Sequence, residues 1–507
     1  MEYTDVIIVG AGLSGIGAAR HLQEHCPGRS YRILEGRPRM GGTWDLFRYP
    51  GIRSDSDMHT LGYHFRPWRE AKAIADGPAI LNYVRNVAAE EGIDRHIHYR
   101  HRVIRAAWDS RIARWSVTVQ RGDEPEPVTL QCNFLLMCSG YYSYDKGHTP
   151  EFPGRERFSG TVIHPQYWPE DLDYRGRKVV IIGSGATAMT LGPAMAEKAA
   201  KVTMLQRSPT WVVSRPEKDV VANFLRQVLP ERWAYALTRW KNVAFQQYVY
   251  RRSRTRPEKL KKMLLKRVRS ELGPEFDVEK HFTPAYNPWD QRLCLVPDAD
   301  LFRAIREGRM EVVTDHIETF TEKGVRTRSG DELEADIIVT ATGLDLVVLG
   351  DIDFRVDGEP VDFSRTWAYK GLMFSGVPNL VFTFGYINAS WTLRADLTAA
   401  WACRLLNHMT REGVTQCVPE LREQDREMTP RPFIDDFSAN YMKRVMHRFP
   451  RQGDHAPWLN TQDYRKDREL LLKAPIDDGV LQFSGATQGG RHAGVGHVGS
   501  QQLVEEK

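Results

Sequence analysis

The chain has 507 residues, 41% of them hydrophobic and 27% charged, and this length exceeds what one hydrophobic core usually supports, so we expect two or three domains. Its net charge of +5 is too small to indicate a nucleic-acid partner, and no apolar run reaches the roughly 18 residues of a membrane-spanning helix. Six cysteines without a C-x-x-C pair argue against a metal site or a disulfide framework and favour a reducing, cytoplasmic location.

The chain begins with a short apolar run, residues 5–9, that predicts a buried strand, and a glycine-rich turn follows at once. The turn has the pattern G-x-G-x-x-G and contains Gly10, Gly12, Ser14 and Gly15. Such a turn lets the backbone approach a pyrophosphate, and the helix after it offers free N–H groups to the phosphates. The next predicted strand ends in Glu35, which can accept hydrogen bonds from a ribose 2′-OH and repels a 2′-phosphate. We therefore predict that this segment binds FAD.

A second glycine-rich stretch, residues 41–55, has the pattern G-G-x-W-x₄-Y-P-G-x₃-D and ends in Asp55. A loop of this kind can wrap the ribityl chain and ring of a flavin, and a loop-capping role is the alternative for the Asp55 carboxylate. Farther along we predict a helix over 80–91 and strands that include 115–119. A buried strand over 134–140 ends in a small-residue turn, which marks the first exit from the flavin domain.

Residues 158–169 connect this part of the chain to a second nucleotide motif. Its distinctive residues are Phe158, Gly160, His164, Trp168 and Pro169. A segment between two dinucleotide sites can couple their motions. In the alternative interpretation Phe158 and Trp168 pack in a domain seam while His164 makes a structural hydrogen bond, and both interpretations can hold together.

The second nucleotide motif has the form G-x-G-x-x-A and follows the apolar run 178–182. It consists of Gly183, Ser184, Gly185, Ala186, Thr187 and Ala188. The strand after its helix, 202–205, leads to Arg207 and Ser208 rather than to an acid. A guanidinium with a neighbouring hydroxyl suits a 2′-phosphate dianion, so we predict NADPH rather than NADH. The alternative is that Arg207 is only a surface cation.

Residues 216–284 have a helical pattern, and the part from 251 to 272 is dense in Lys and Arg. The apolar residues of this part recur at helical spacing and are Leu260, Met263, Leu264 and Val268. A basic amphipathic helix of this kind can make a peripheral membrane contact. The favoured alternative is a solvated helix that covers a cleft near a substrate entrance.

The last third of the chain begins with a strand that leads into the Ala-Thr-Gly turn at 341–343, where flavin enzymes with two nucleotide domains return to the flavin domain. We expect a strand from 377–380, a helix beginning at 388–392 that can face the flavin ring, and a closing helix over 394–411. After residue 483 the chain becomes rich in Gly, His and Gln and is predicted to be a flexible tail.

The segment 158–169 and the pattern within 41–55 resemble the two sequence signatures of Baeyer–Villiger monooxygenases, in the same order relative to the nucleotide motifs. The resemblance implies an α/β protein with two Rossmann-like domains, in which the NADP domain is inserted in the FAD domain and carries an added helical segment. The implied limits are 1–150 and 335–483 for the FAD domain, 151–334 for the NADP domain with its helical segment 216–284, and 484–507 for the tail.

The same resemblance implies roles for individual residues. Those that would line the flavin are Thr43, Trp44, Asp45, Leu46 and Asp55, with Val103 contacting its adenine through the backbone. Arg53 and Ser54 would reach the nicotinamide end of NADP. Arg292 stands where the family carries an arginine, and Asp55 would hold it in position. The preceding residue is commonly lysine in the family but is Gln291 here, so the predicted preference for NADPH rests mainly on Arg207.

The implied reaction uses FAD, NADPH and O₂ to convert a ketone to an ester or lactone through a C4a-peroxyflavin that Arg292 keeps anionic. Sulfoxidation of thioethers or thioamides is the implied side activity. A flavin monooxygenase that acts mainly on sulfur or nitrogen is the nearest alternative, and Trp168 followed by Pro169 counts against it. A non-enzymatic redox sensor that binds FAD and NADPH is the other alternative. The sequence does not indicate an oligomeric state.

Overall fold

The computed structural model describes residues 2–435 and 437–485. The apolar run at the start of the chain forms the centre of its largest sheet, where Glu2–Val9 lies parallel to both Tyr31–Glu35 and Val128–Met137. Ile7 and Ile8 are fully buried and join hydrophobic clusters on opposite faces of the sheet. Across this sheet the strands are Glu359–Pro360, Asp353–Val356, His101–Asp109, Arg114–Arg121, Val128–Met137, Glu2–Val9, Tyr31–Glu35 and Ile97–Tyr99, with Leu380–Phe382 also paired to Val128–Met137.

A second sheet is wholly parallel and is built from the apolar runs around the second glycine-rich motif. Across it the strands are Met310–Thr314, Lys201–Gln206, Lys178–Ile182, Ile337–Thr340 and Thr161–Ile163. Its central strands are buried on both faces, as the absence of alternation in their sequences predicts.

Two short antiparallel strands carry the chain between the sheets. Tyr142–Gly147 follows the last early strand of the first sheet, and Leu344–Leu346 follows the last strand of the second. The strands of the second sheet therefore all lie, in sequence, between these two connections. The remaining small ladders pair Val212–Arg215 with Cys294–Pro297, Ile317–Phe320 with Gly324–Thr327 and Glu332–Glu334, Ala368–Tyr369 with Met373–Phe374, Gln416–Pro419 with Leu481–Ser484, and Arg431–Pro432 with Arg451–Gln452.

The helices cover the sheets and one of them, Trp391–Glu412, packs against the first helix, Leu13–His25. The α-helices of the described part are Leu13–His25, Thr43–Leu46, Met58–Leu61, Gly77–Glu90, Ala186–Ala196, Val220–Val228, Glu231–Thr255, Pro257–Leu272, Val278–Phe282, Asp300–Arg306, Trp391–Glu412, Asn440–Lys443 and Tyr464–Arg468. None of them is long and apolar enough to cross a bilayer.

The basic segment 251–272 was predicted to be one helix, but it belongs to two helices. Glu231–Thr255 and Pro257–Leu272 are separated at Arg256, because a residue that precedes proline avoids helical backbone. Of the apolar residues at helical spacing, Leu260, Leu264 and Val268 are buried in the helix Pro257–Leu272, whereas Met263 is 59% exposed.

Near the end of the chain, the helix start expected at 388–392 and the closing helix expected over 394–411 form one continuous helix, Trp391–Glu412. Of the predicted tail, Ser484 belongs to the strand Leu481–Ser484, and residues 486–507 lie outside the described residues.

Candidate active site

The two glycine-rich turns, each following a parallel strand of its sheet, open into one cavity of about 1230 Å³. This exceeds the roughly 300–1,000 Å³ of a pocket for one drug-sized ligand. The predicted site residues that line it are Gly10, Gly12, Ser14, Glu35, Thr43, Trp44, Leu46, Arg53, Ser54, Asp55, Val103, Gly183, Ser184, Gly185, Ala186, Thr187, Arg207, Ser208 and Arg292. Those that do not are Gly15, Asp45, Ala188, Phe158, Gly160, His164, Trp168 and Pro169.

The first turn fits a dinucleotide phosphate. Gly10 has φ +105°, and a Cβ there would lie 2.5 Å from the carbonyl oxygen of Cys138, so only glycine is accommodated. The helix Leu13–His25 begins after Gly12 without a side-chain cap and without an acid in its first turn. Its first N–H groups are therefore free to bind anionic oxygens.

Glu35 lines the cavity, and two backbone N–H groups hold its carboxylate in position. The backbone N–H of Ala11 donates to Oε2 at 2.8 Å, and that of Arg37 donates to Oε1 at 2.9 Å. Burial raises the pKa of Glu35, while these two hydrogen bonds act to lower it. Each oxygen keeps a free lone pair, which is the acceptor that a ribose hydroxyl needs.

The second turn has the same backbone geometry as the first, but the strand after its helix leads to Arg207 instead of to an acid like Glu35. Gly183 has φ +133°, and a Cβ there would lie 2.3 Å from the carbonyl oxygen of Ala341. The Ser184 hydroxyl donates to the carbonyl oxygen of Ser208 at 2.9 Å, which ties the turn to the neighbouring strand end. Arg207 is exposed on the cavity wall, and within the described ranges no side chain pairs with its guanidinium. It is thus available to an anionic ligand.

The loop that follows Gly41 is held by a buried carboxylate. Asp45 is fully covered and forms ion pairs with Arg37, Arg39, Arg48 and Arg85, at 2.8 to 3.3 Å. Its carboxylate is engaged by these arginines away from the cavity, whereas its neighbours in the loop line the cavity. A flavin contact by Asp45 stays a prediction, and its visible effect is to fix the loop.

Arg53 and Ser54 line the cavity with their polar atoms already engaged. Arg53 Nη1 lies 2.5 Å from Oδ2 of Asp300, and Nη2 lies 3.4 Å from Oδ1. The Ser54 hydroxyl donates to the carbonyl oxygen of Ser56 at 2.6 Å. Nothing in the sequence marks Asp300 as a partner, because the two residues of the ion pair are far apart in the chain.

Arg292 is one of the arginines that line the shared cavity. Its Nε donates to Asp55 Oδ2 at 2.8 Å, Nη2 donates to the same oxygen, and Nη1 donates to the carbonyl oxygen of Ile387 at 2.5 Å. Its guanidinium carbon lies 5.8 Å from the centre of the Trp289 ring. Burial acts to lower the pKa of Arg292, but the Asp55 carboxylate outweighs it and raises that pKa above its ordinary value. The cation is both fixed and permanent.

Several aromatic residues around Arg292 were not predicted as site residues. The hydroxyls of Tyr141 and Tyr142 are 2.8 Å apart, and the Tyr141 ring stacks on Trp391 with centres 5.2 Å apart. Trp391 Nε1 donates to Ser14 Oγ at 2.8 Å, and Tyr441 completes this wall. Burial raises the pKa of Tyr141 and Tyr142, so both keep a proton to donate. The position of the two tyrosines directly after the turn at 139–140 could have indicated them.

The segment 158–169 lies behind the cavity and clamps the two connections between the sheets. His164 Nε2 lies 3.1 Å from the carbonyl oxygen of Gly343, at the start of the returning strand. Gln166 Nε2 donates to the carbonyl oxygen of Ser143 at 2.8 Å, in the outgoing strand. His164 thus makes a structural hydrogen bond, and a role of the segment in coupled motion stays a prediction.

The other residues of this segment are fixed by packing. Phe158 is buried in a cluster with Phe320, and a Cβ at Gly160 would lie 2.4 Å from the carbonyl oxygen of Asp336. Trp168 is partly buried, with its ring centre 6.5 Å from that of Tyr174. These contacts fit the alternative of a packed seam beside the second sheet.

One cluster outside the cavity contains three groups that can ligate metals. The ligand atoms of His21, His64 and Asp396 lie within 4.8 Å of one another. Arg239 Nη2 lies 3.4 Å from Asp396 Oδ2, so a guanidinium already supplies positive charge to this carboxylate. We assign no metal to the cluster.

The fold and the shared cavity define an α/β protein with two glycine-rich turns of the dinucleotide-binding type that open into one cavity. The sequence profile described as flavin-binding monooxygenase-like matches residues 73–347, and that of an NAD(P)-binding Rossmann-like domain matches residues 8–75. The chain is 54% identical over 484 residues to the FAD-containing monooxygenase EthA of Mycobacterium tuberculosis, which covers 95% of this chain and 98% of that protein. It is 50% identical to the EthA of Mycolicibacterium smegmatis, over 95% of this chain and 97% of that one. The chain belongs to the flavin-binding monooxygenase-like family.

Solved structures confirm the predicted fold class. An oxidized steroid monooxygenase bound to NADP superposes with a TM-score of 0.77 at 22% identity, covering 95% of this chain and all of that one. An open structure of cyclohexanone monooxygenase gives a TM-score of 0.74 at 20% identity, covering 96% of this chain. At these identities the likeness concerns the fold.

Proposed function

We propose that the chain is a Baeyer–Villiger monooxygenase that converts ketones to esters or lactones with FAD, NADPH and O₂, and that oxidises thioethers or thioamides as a side activity. Membership of the flavin-binding monooxygenase-like family supports the cofactors and the reaction class. The observation that carries the proposal is the guanidinium of Arg292, which Asp55 and Ile387 hold inside the cavity shared by both glycine-rich turns.

The residues that would hold the cofactors belong to different sheets. FAD would lie against the turn at 10–15, with its adenosine ribose at Glu35, and NADP would lie against the turn at 183–188, with its 2′-phosphate at Arg207. We assign residues 1–150 and 335–483 to the FAD domain and 151–334 to the NADP domain. The bound flavin would supply the redox chemistry, namely acceptance of hydride from NADPH and activation of O₂.

Arg292 would act on charge that develops during oxygen transfer. The overall reaction consumes a ketone, O₂, NADPH and a proton and yields an ester, NADP⁺ and water, so one oxygen atom enters the substrate and the other leaves as water. A fixed cation favours the anionic form of an oxygen nucleophile beside it and donates hydrogen bonds to the carbonyl oxygen as that atom gains negative charge. A guanidinium keeps its proton during these steps, whereas an ammonium can lose one.

The test is product analysis with and without this cation. Purified protein is supplied with FAD, NADPH and air, and a panel of ketones and thioethers is assayed by gas chromatography. We expect esters or lactones from the ketones, and Arg292→Ala should lower ester formation about 10²–10³-fold while the flavin content stays unchanged. Unimpaired ketone oxidation by Arg292→Ala would remove this residue from the mechanism.

The same assay separates the alternatives. Products from thioethers alone would identify an S- or N-monooxygenase. Bound flavin with slow NADPH oxidation that no substrate stimulates would identify a redox sensor. Oxidation of NADPH to give only hydrogen peroxide with each ketone would end the proposal.

We propose that the chain acts on small molecules in the cytoplasm. Small-molecule substrates and O₂ fit the family, and the described cysteines are all unpaired, which supports a cytoplasmic location. A peripheral membrane contact through 251–272 is supported only by charge. The buried face of the helix Pro257–Leu272 holds Leu260, Leu264 and Val268, and its outward face is dominated by lysine and arginine.

A further inference from the structure

Two consecutive helices expose a continuous series of large apolar side chains. On Val220–Val228 the exposed residues recur every four positions, and on Glu231–Thr255 they recur at helical spacing along one face. The large apolar residues exposed within 220–255 are Val220, Val221, Phe224, Val228, Leu229, Trp233, Leu237, Trp240, Phe245 and Tyr248. Trp233 is 70% exposed and Trp240 is 67% exposed, which is rare for the largest apolar side chain.

This exposure is local. Elsewhere in the described ranges the exposed large apolar residues outside 220–263 are scattered singly, and they are Tyr3, Ile104, Ile112, Tyr167 and Leu472. Single exposed apolar residues are normal on protein surfaces, but a continuous group marks an interaction site.

The opposite face of the helix pair is firmly attached to the body of the protein. Tyr235 donates its hydroxyl proton to the carbonyl oxygen of Tyr63 at 2.8 Å, and Arg239 Nη1 donates to that of Gly62 at 2.8 Å. Asn242 Nδ2 donates to Asp57 Oδ1 at 2.9 Å. These contacts are made with the segment directly after Asp55, so the apolar face is turned outward from a fixed base next to the active-site wall.

The charge of this region favours an anionic partner. Residues 220–272 contain fourteen lysines and arginines and three acidic residues, a net charge of +11, whereas the whole chain carries +5. The rest of the chain therefore carries −6. Two copies of this face would repel each other, whereas an anionic surface would attract it.

We propose that the helix pair docks on the surface of an anionic lipid bilayer, with Phe224, Trp233 and Trp240 buried at the headgroup level. Interfacial helices combine an apolar face with flanking cations, and tryptophan is the residue most suited to this depth. The lysines and arginines of the helix Pro257–Leu272 add electrostatic attraction to the anionic lipids. The apolar side chains that enter the bilayer belong to the two preceding helices, Val220–Val228 and Glu231–Thr255. This deepens the membrane contact proposed above and does not depend on the reaction catalysed.

The test measures cosedimentation of full-length, FAD-loaded protein with vesicles, without substrate. Vesicles of mixed phosphatidylglycerol and phosphatidylcholine are compared with vesicles of phosphatidylcholine alone, at low and high salt. The test variant is the triple substitution Phe224→Ser, Trp233→Ser and Trp240→Ser. Its matched control is Tyr3→Ser, Ile112→Ser and Leu472→Ser, which removes three exposed apolar side chains elsewhere.

We expect binding to the anionic vesicles that weakens at high salt, because the charge contribution is screened. The test variant should bind at least tenfold more weakly and the control variant should bind as the wild type does, with flavin content unchanged in both. Absent vesicle binding by the wild type, or equal binding by the test variant, would overturn the proposal. So would a dimer in size-exclusion chromatography that the test variant alone abolishes, since a second copy would then cover the face. Because the experiment uses no substrate, its outcome does not depend on whether the protein oxidises ketones.

Discussion

Two of the three hydrogen bonds that hold the Arg292 guanidinium go to one carboxylate oxygen, because Nε and Nη2 both donate to Oδ2 of Asp55 while Nη1 donates to Ile387. A charge-assisted hydrogen bond is worth about 1.5–3 kcal/mol, which corresponds to roughly 10- to 150-fold in rate if it is lost from the transition state. We therefore expect Asp55→Asn to lower kcat for ketone oxidation by about that factor while KM for NADPH stays unchanged. Asp55→Glu should recover part of the loss.

Stopped-flow and product assays check this expectation, with Asp173→Asn as the control. Asp173 forms an exposed ion pair with Arg175, and neither residue lines the cavity, so the substitution of Asp173 should leave the kinetics unchanged. A loss of flavin in Asp55→Asn, with kcat per bound flavin preserved, would show that Asp55 only supports the loop.

Arg207 makes a second residue-level prediction, because its guanidinium lies on the cavity wall without a protein partner among the described residues. If it binds the 2′-phosphate, Arg207→Gln should raise KM for NADPH about 10- to 150-fold and leave KM for NADH nearly unchanged. Initial rates with both cofactors measure this. Arg175→Gln is the matched arginine control, and an equal rise for both cofactors would contradict a specific phosphate contact.

At the level of elements, the segment 158–169 holds the outgoing and returning strands together. Burial lowers the pKa of His164 below its ordinary value of 6.5, and its hydrogen bond with the Gly343 carbonyl acts to raise it. The unfolded chain therefore binds a proton at a higher pH than the folded chain does. The neutral His164 side chain therefore contributes stability that is fully present above the pKa of His164 in the unfolded chain. This contribution is lost as the pH falls from that value toward the lower pKa of the folded chain.

This direction of the pH dependence predicts how a substitution of His164 should change thermal stability. Between about pH 7.5 and pH 5.5 the wild type should lose more thermal stability than His164→Asn, because the variant has no group to protonate at this position. Differential scanning calorimetry at the two pH values measures the difference, and His447→Asn, at an exposed position, is the control. Parallel losses in wild type and His164→Asn would contradict the assignment.

The elements that sequence could predict are those whose chemistry restricts the residue type. The turns at Gly10 and Gly183 require glycine for backbone reasons, so their strand–turn–helix context was predictable. The basic segment 251–272 was predicted as one helix because its density of Lys and Arg continues through Arg256, although the proline that follows separates two helices there. Ile387 and Tyr441 meet Arg292 only through tertiary packing, so no local pattern indicates them.

At the scale of the whole molecule, the two sheets share one cavity, and the described part of the chain passes between them by the paired strands Tyr142–Gly147 and Leu344–Leu346. Walls contributed by both sheets make the two dinucleotide sites neighbours rather than independent pockets. A ligand that orders one wall reduces the ordering cost for the ligand on the other wall. Binding of FAD and NADP⁺ should then be positively coupled.

Thermal unfolding tests this coupling. A ligand at a hundredfold excess over its Kd stabilises the folded state by about 2.7 kcal/mol. We expect a fixed concentration of NADP⁺ to raise the unfolding temperature of FAD-loaded protein more than that of the apoprotein, because FAD lowers the Kd for NADP⁺. Arg207→Gln should keep the shift caused by FAD and lose most of the shift caused by NADP⁺. Equal NADP⁺ shifts with and without FAD would mean that the common cavity wall transmits no coupling between the two dinucleotides.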